Sequence, residues 1–249
     1  VLFPKTLLVA GYGKNGQLLM AHYHRADADT PDWDLKFFEH DFINEKLLGV
    51  PQQVKTIFIG NEESLIVPME LYNEKAAQDW LKSIYALSPR MVVYTQFLKS
   101  AEAHYLFGVP GELDKLLHRY FGSPKMLPAA AFHFHKPERA IPNLLQLLIT
   151  QDKAIATLQQ NGDLKWHRHF EFSNAEDLAF QAANLCREMH IPRIDLQIEC
   201  AMLCEDCDDV ALELERYFPK IKWTNAHALS EIANEHLVFL ALRLYACAL

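Results

Sequence analysis

Two Asn-Gly dipeptides, each between two apolar runs, restrict the possible folds of this chain more than any other feature. They are Asn15-Gly16 and Asn161-Gly162. The flanking runs, rich in β-branched and aromatic residues, are residues 6–10, 18–23, 154–158 and 164–172. Asn-Gly in this position favours a two-residue hairpin, because a type I′ turn needs positive φ at both central residues. The sequence therefore predicts a hairpin near the start of each of two blocks.

The remaining pattern alternates helices with strands in both blocks. Apolar runs predict further strands at residues 35–38, 56–59, 65–67, 91–97, 194–200 and 221–224. Helical spacing predicts helices at residues 70–86, 112–121, 143–149, 208–218 and from about 230, and Ser173 or Asn174 caps another that runs to about 189. Prolines and charges at residues 137–142 interrupt the pattern, so we expect one domain at residues 1–140 and a second at 141–249.

Charge and composition narrow the range of partners. The formal net charge of −8 is spread over 249 residues without a basic stripe, so we expect neither nucleic acid nor an anionic membrane as the main partner. No apolar run reaches the roughly 18 residues of a membrane span, and residues 1–10 do not have the segments of a signal peptide. Five cysteines, an odd number, suit reduced thiols better than a disulfide framework. These features predict a soluble, cytoplasmic protein.

The glycines around the first turn offer a competing interpretation. Gly11, Gly13 and Gly16 match the G-x-G-x-x-G dinucleotide fingerprint after a strand, and Glu39 ends a later apolar run 23 residues past Gly16. In such a site the pyrophosphate lies at a helix N-terminus and the acidic residue holds a ribose hydroxyl. This interpretation requires a helix from about Gly16, whereas the hairpin requires a strand. The matching Asn161-Gly162 turn has no fingerprint, which favours the hairpin.

Cysteine and histidine clusters raise the question of a metal. Cys200, Cys204 and Cys207 have the spacing of three thiolates around an iron–sulfur cluster, but the adjacent acidic residues disfavour thiolates there. Three His-x-His pairs, each directed to one face if it lies on a strand, are His22 with His24, His133 with His135, and His167 with His169. Because no third or fourth ligand is visible, we expect ordinary strand histidines and no metal site.

Several motifs resemble an uncharacterised bacterial family, a domain of unknown function. They are residues 64–72 (SLIVPMELY), 107–110 (FGVP) and 160–164 (QNGDL), followed by Phe170, Phe172 and Glu176-Asp177. The resemblance runs from about residue 55 to 225. Members of that family are similar to actin-type ATPases in fold. The resemblance therefore implies an α/β protein with duplicated ribonuclease H-like architecture, in which two mixed sheets are flanked by helices, and it implies no catalytic residue.

An actin-type fold raises the question of ATP. Such sites hold phosphates in two hairpin turns of D-x-G type and adenosine against a late Gly-Gly turn, where backbone approaches the ligand without a Cβ in the way. Neither Asn-Gly turn has this sequence, and no glycine follows Gly162. We therefore expect no cofactor, and a non-catalytic interaction or scaffold protein that binds an unknown protein partner or forms a homo-oligomer. The alternative is a nucleotide- or dinucleotide-binding enzyme that uses the turn at residues 11–16.

Overall fold

The computed structural model describes residues 1–13, 15–49, 56–134, 141–203 and 208–223, together with residues 240, 241, 243, 244 and 247. The chain forms two compact units, Val1–Phe132 with Leu244–Leu249, and His133–Arg243. The division into actin-like halves at residues 1–140 and 141–249 stays a prediction. None of the helices in the described ranges combines the length and the apolar character that crossing a membrane requires.

The described part of the first unit contains two sheets. Its strands are β1 (Leu2–Phe3), β2 (Thr6–Tyr12), β3 (Leu18–Arg25), β4 (Thr56–Ile59), β5 (Ser64–Pro68), β6 (Met91–Leu98), β7 (Ala103–Pro110) and β8 (Lys125–Pro128). Its helices are α1 (Leu35–Asn44), α2 (Ala77–Lys82) and α3 (Gly111–Phe121). The first sheet has the order β3-β2-β1-β4-β8, and β5-β7-β6 form a smaller antiparallel sheet.

The described ranges 141–203 and 208–223 of the second unit contain one five-stranded sheet, named the second sheet below. Its strands are β9 (Asn143–Ile149), β10 (Lys153–Gln160), β11 (Asp163–Glu171), β12 (Gln197–Met202) and β13 (Ile221–Trp223), and its helices are α4 (Ala175–Glu188) and α5 (Asp208–Tyr217). The apolar core lies against α4 and α5, where Leu178, Leu185 and Leu214 pack over Leu147 and Ile198.

The first and second sheets have the same strand order and the same strand directions. In each, the first three strands in sequence are antiparallel neighbours, and the first, fourth and fifth run parallel. The predicted mixed α/β class is therefore confirmed. Origin by duplication stays a prediction, since equal strand order is a likeness of architecture.

Both predicted hairpins are confirmed. The turn between β10 and β11 places Asn161 at φ 54° and Gly162 at φ 85°, the left-handed pair of a type I′ turn. The turn between β2 and β3 is longer, with a hydrogen bond of 2.8 Å from the Gly13 N–H to the Gln17 carbonyl. Lys14 in this turn lies outside the described residues. The helices predicted at 112–121 and 208–218 correspond to α3 and α5, and Asn174 caps α4 by accepting the Asp177 N–H at 2.8 Å.

The predicted strand at residues 35–38 is wrong, because these residues begin α1. The Asp34 carboxylate caps the helix by accepting the Phe37 N–H at 3.2 Å. Phe38 and Phe42, four residues apart on one helical face, are both buried. An apolar run of four residues fits a strand as well as a helix, so the run alone could not decide between them.

The predicted helix at residues 143–149 is also wrong, since these residues form β9. This strand is at the centre of the second sheet, and six of its seven residues are buried. A strand covered on both faces has no alternation of polar and apolar residues, so its sequence is a continuous apolar run without the period of a strand.

The remaining differences concern the length of one helix, two strands that the sequence did not predict, and the last helix. The helix predicted at residues 70–86 is reduced to α2, preceded by 3₁₀ turns at Met69–Leu71 and Glu74–Ala76. β7 and β8 have no counterpart among the predicted strands. Of the helix predicted from about residue 230, the described residues 240, 241, 243, 244 and 247 are helical, and the rest lies outside the described part of the chain.

Candidate functional site

The glycine turn at residues 11–16 joins two antiparallel strands, β2 and β3. A strand from Leu18 to Arg25 follows it, so the helix that the dinucleotide interpretation requires at about Gly16 is absent. Gly16 has a φ of 78° and donates its N–H to the Gly13 carbonyl at 2.9 Å. The backbone of this turn therefore serves a hairpin, and no helix N-terminus is available there for a pyrophosphate.

Glu39, the acidic residue of the same interpretation, lies on α1. Its carboxylate Oε1 accepts hydrogen bonds from the Arg119 guanidinium and, at 3.3 Å, from the Tyr120 hydroxyl of α3. The Glu39 side chain is exposed, and its partners are a cation and a phenol on a neighbouring helix. Its observed role is to connect α1 with α3.

Two histidines of β3 hold a buried carboxylate. Nδ1 of His22 lies 3.0 Å from both oxygens of Glu45, and Nε2 of His24 lies 2.8 Å from Oε2. Glu45 directly follows α1, and its Oε1 also accepts the Leu47 N–H at 2.8 Å. Asp41 on α1 adds a second carboxylate, 3.8 Å from Nδ1 of His24. The pair His22 and His24 therefore ties β3 to the end of α1.

Burial and hydrogen bonding shift the pKa values of these two carboxylates in opposite directions. Burial raises the pKa of Glu45, but hydrogen bonds from the Leu47 N–H, His22 and His24 outweigh it and leave the pKa below its ordinary value. At Asp41 burial is the larger effect, and the pKa is raised despite the nearby His24. The charged form of Glu45 is thus the form that the fold stabilises.

We expect Glu45→Gln to lower the free energy of unfolding by about 1–3 kcal/mol, because the neutral amide loses charge-assisted hydrogen bonds in a buried position. Urea denaturation at neutral pH measures this change. The control is Glu39→Gln, which removes an exposed ion pair and should change the free energy by less than about 1 kcal/mol. Equal effects of the two substitutions would contradict the importance assigned to Glu45.

The metal hypotheses find no support within the described residues. There, no group of three or more His, Cys, Asp or Glu side chains is arranged so that it could hold a metal ion. Cys200 is buried on β12 as a free thiol, and burial, followed by the charge of Glu199, raises its pKa. Cys204, Cys207 and His135 lie outside the described residues.

A row of polar side chains crosses the second sheet. His167 on β11, Thr157 on β10, Gln146 on β9 and Glu199 on β12 are paired in register across four neighbouring strands. We call these four residues the polar row. Their neighbours along each strand belong to the apolar core, so the polar row lies on the opposite face of the sheet.

Hydrogen bonds connect the polar row to His133, which lies in a 3₁₀ turn at Ala129–Phe134. The Thr157 hydroxyl lies 2.8 Å from Nδ1 of His167 and 2.9 Å from Nδ1 of His133. A hydroxyl has one hydrogen and two lone pairs, so it can donate to at most one of these nitrogens. At least one of the two imidazoles therefore carries its hydrogen on Nδ1 and donates it to Thr157.

Amide and charged groups continue the network toward β12. Gln159 donates to the carbonyl of His133 and, at 3.4 Å, to Oε1 of Gln146. The Gln146 amide in turn donates to Oε2 of Glu199 at 3.2 Å, and the Arg243 guanidinium donates to the same oxygen at 3.2 Å. One connected set of hydrogen bonds thus extends from an imidazole to an ion pair.

The histidines of this network are held in their neutral forms. Burial, followed by the charges of Arg243 and His169, lowers the pKa of His133 to about 3. Burial also lowers the pKa of His169 to about 4 and that of His167 well below its usual value. General acid–base catalysis is most effective when the pKa lies near the working pH. These imidazoles are therefore unsuited to exchanging protons at neutral pH.

The sequence pattern identified the His167 and His169 pair, but Thr157, Gln146, Gln159 and Glu199 were not among the predicted site residues. Each is a polar residue in a mostly apolar strand, and such interruptions are the signal that could have identified them. Polar residues inside an otherwise buried strand require partners, because an unpaired buried polar group costs about 1–3 kcal/mol.

The hairpin turns of the two five-stranded sheets can be compared with actin-type phosphate turns. β1 and β2 are joined by Pro4-Lys5, and β9 and β10 by residues 150–152 (TQD). The other two turns contain Asn15-Gly16 and Asn161-Gly162. None of the four has the sequence D-x-G.

Comparisons with known proteins show the fold and the family. A crystal structure from Bacteroides thetaiotaomicron, of a protein with an actin-like ATPase fold and unknown function, is similar with a TM-score of 0.79, 13% identity, and coverage of 99% of this chain and 93% of that chain. The PilM-PilN type IV pilus biogenesis complex is similar with a TM-score of 0.56, 12% identity, and coverage of 98% and 96%. At these identities the likeness shows the fold alone, which confirms the expected actin-like architecture.

No curated protein matches the sequence. The model of the family described as protein of unknown function (DUF3822) matches residues 12–221, which is most of the chain. This match also confirms the resemblance to an uncharacterised family. The chain therefore belongs to the DUF3822 family of proteins of unknown function.

Proposed function

We propose that this protein is a non-catalytic interaction or scaffold protein, built on an actin-like fold whose nucleotide site is degenerate. The observation that carries this proposal is the sequence of the four hairpin turns in the two five-stranded sheets. A turn of D-x-G type lets the backbone approach a phosphate, because glycine has no Cβ. The turn at Pro4-Lys5 contains neither an acid nor a glycine, and the turn at residues 150–152 contains Asp152 but no glycine.

Three histidines of the second unit support the same proposal. His133, His167 and His169 lie near one another in the second unit, and burial lowers the pKa of each so that it stays neutral at pH 7. Their hydrogen bonds organise the interior of the sheet. An arrangement of this kind stabilises a fold and lacks a group with a pKa near neutrality that could transfer protons.

One of the comparison structures indicates the kind of partner that we propose. One structural neighbour is the PilM-PilN complex, in which a protein of this fold is associated with another protein. By analogy we propose a protein partner for this chain, and neither nucleic acid nor a membrane. We also propose the cytoplasm as its location, since the described thiols Cys186 and Cys200 are free.

Titration with Mg-ATP in a calorimeter tests the proposal. We expect no saturable heat at ATP concentrations up to about 1 mM, which means a binding free energy weaker than about −4 kcal/mol. The same titration with NAD tests the alternative based on the turn at residues 11–16. Saturable binding of either nucleotide in the micromolar range would contradict the proposed function.

A further inference from the structure

A groove lies between the edge strand β11 and helix α4. Trp166, Arg168 and Phe170 of β11 form one wall, and Phe180 and Glu188 of α4 belong to the other. Its volume is about 160 Å³. We call it the β11–α4 groove. It lies on the core side of the second sheet and contains none of the residues of the polar row.

The size of the β11–α4 groove indicates what can occupy it. Pockets for cofactors and other small molecules measure about 300–1,000 Å³. The 160 Å³ observed here is about half of the lower limit of that range. This volume fits a large side chain projecting from a peptide and is too small for a nucleotide.

The walls of the groove are aromatic and mostly accessible. Phe180 on α4 is 66% exposed, which is unusual for a phenylalanine on a helix that packs against a sheet. Trp166 and Phe170 are half-buried, and both pack against the core from β11. Aromatic residues with one accessible face are typical of the residues that anchor protein interfaces.

Charge indicates the chemistry of the occupant. Arg168 is exposed at the groove and forms no ion pair with any residue that the structure describes. The acidic residue on the opposite wall is Glu188, whose Oε1 accepts the Asn184 amide at 2.8 Å. Arg168 thus offers a guanidinium that can bind a carboxylate through two parallel hydrogen bonds.

β11 also offers main-chain groups. It is at one edge of the second sheet and pairs with β10 alone among the described strands. Near its end, the Glu171 carbonyl accepts the Gln181 amide of α4 at 2.8 Å, which joins the two walls there. An edge strand can pair with an extended peptide, and side-chain pockets beside it then determine which peptide binds.

We propose that the β11–α4 groove binds an extended peptide of a partner protein, with a large apolar side chain between Trp166 and Phe180 and an Asp or Glu at Arg168. This inference rests on the proposed interaction function and names its surface and the chemistry of its partner. The peptide pairs with β11, its apolar side chain enters the groove, and its carboxylate neutralises Arg168.

Selection of peptides from a random phage-displayed library on the immobilised full chain tests the proposal. The enriched peptides should share a large apolar residue close to Asp or Glu. Their affinities are then measured by fluorescence polarisation on the wild type and on variants. Arg168→Glu and Phe180→Ala should each weaken binding by about tenfold or more, a change of about 1.4 kcal/mol. Glu188→Gln should strengthen binding, because it removes a like charge from the groove.

Lys165→Glu is the matched control. It makes the same change of charge on β11 as Arg168→Glu, but its side chain does not line the groove. The control should leave peptide affinity within about twofold, a change of about 0.4 kcal/mol. Because Arg168, Phe180 and Lys165 are all exposed, the variants should keep the melting temperature of the wild type.

Three results would overturn the proposal. The library could yield no enriched sequence, the enriched peptides could bind Arg168→Glu as tightly as the wild type, or sedimentation could show a dimer that Phe180→Ala dissociates. The last result would assign the groove to a second copy of this chain. If the peptide experiments fail and the Mg-ATP titrations show no binding, only the peptide proposal is overturned and the non-catalytic proposal stands. ATP binding would contradict the non-catalytic proposal whatever the result with peptides.

Discussion

Replacing Thr157 with valine is expected to lower the free energy of unfolding by about 2–6 kcal/mol, because it leaves two buried imidazole nitrogens without their hydroxyl partner at about 1–3 kcal/mol each. The affected atoms are Nδ1 of His133 and Nδ1 of His167. Thr157 itself is fully buried, so water cannot take the place of the hydroxyl without rearrangement of the network. Valine keeps nearly the shape of threonine, so the loss reports hydrogen bonding rather than packing.

Thr157→Ser is the matched control for this substitution. Serine keeps the hydroxyl and loses one methyl group, which should cost only about 1 kcal/mol. Urea denaturation measures both variants, and amide hydrogen exchange along β10 locates the effect within the second unit. A serine variant as unstable as the valine variant would show that the methyl group, and not the hydroxyl, is responsible.

The second large effect is a loss of stability in mild acid. An unfolded histidine has a pKa of about 6.5. In the fold, the pKa of His133 is about 3 and that of His169 about 4, while that of His167 is well below its usual value. Between about pH 6.5 and 4 the unfolded chain therefore binds protons that the native state does not. The stability is complete above about pH 7 and falls with acid, by up to about 1.4 kcal/mol per pH unit for each histidine.

With all three histidines, the slope reaches about 4 kcal/mol per pH unit. Urea denaturation at pH 7.5, 6.5 and 5.5 measures it, and this range lies above the ordinary titration of carboxylates. His167→Gln should reduce the slope by the contribution of one histidine, roughly 1.4 kcal/mol per pH unit. A slope that survives substitution of His133, His167 and His169 would contradict this explanation.

Local chemistry explains which elements were predictable from sequence. The Asn161-Gly162 hairpin and the Asn174 cap of α4 depend on a few adjacent residues, so they could be identified without tertiary information. β9 and the start of α1 were assigned wrongly for the opposite reason. Their apolar runs are short or continuous, and only burial in the sheet or against α3 decides between helix and strand.

The candidate site was predictable only in part. His167 is one member of a visible His-x-His pair, but its bond to Thr157 depends on the register between β10 and β11. The contact of Thr157 with His133 joins residues 24 positions apart and depends on the turn at Ala129–Phe134. For Gly11, Gly13, Gly16 and Glu39, the sequence match was real, but a local motif does not specify whether a strand or a helix follows it.

The strand order of the second sheet has a consequence for the folding pathway. Thr157 and His167 are 10 residues apart along the chain, whereas Gln146 and Glu199 are 53 apart. Closing the longer loop costs about 1.5 kcal/mol more in chain entropy, since the cost grows with the logarithm of loop length. Hairpins such as β10–β11 form in about 1–10 μs, while parallel pairing must wait for distant segments to meet. The polar row is therefore expected to assemble in sequence, from the hairpin end at β11 toward β12.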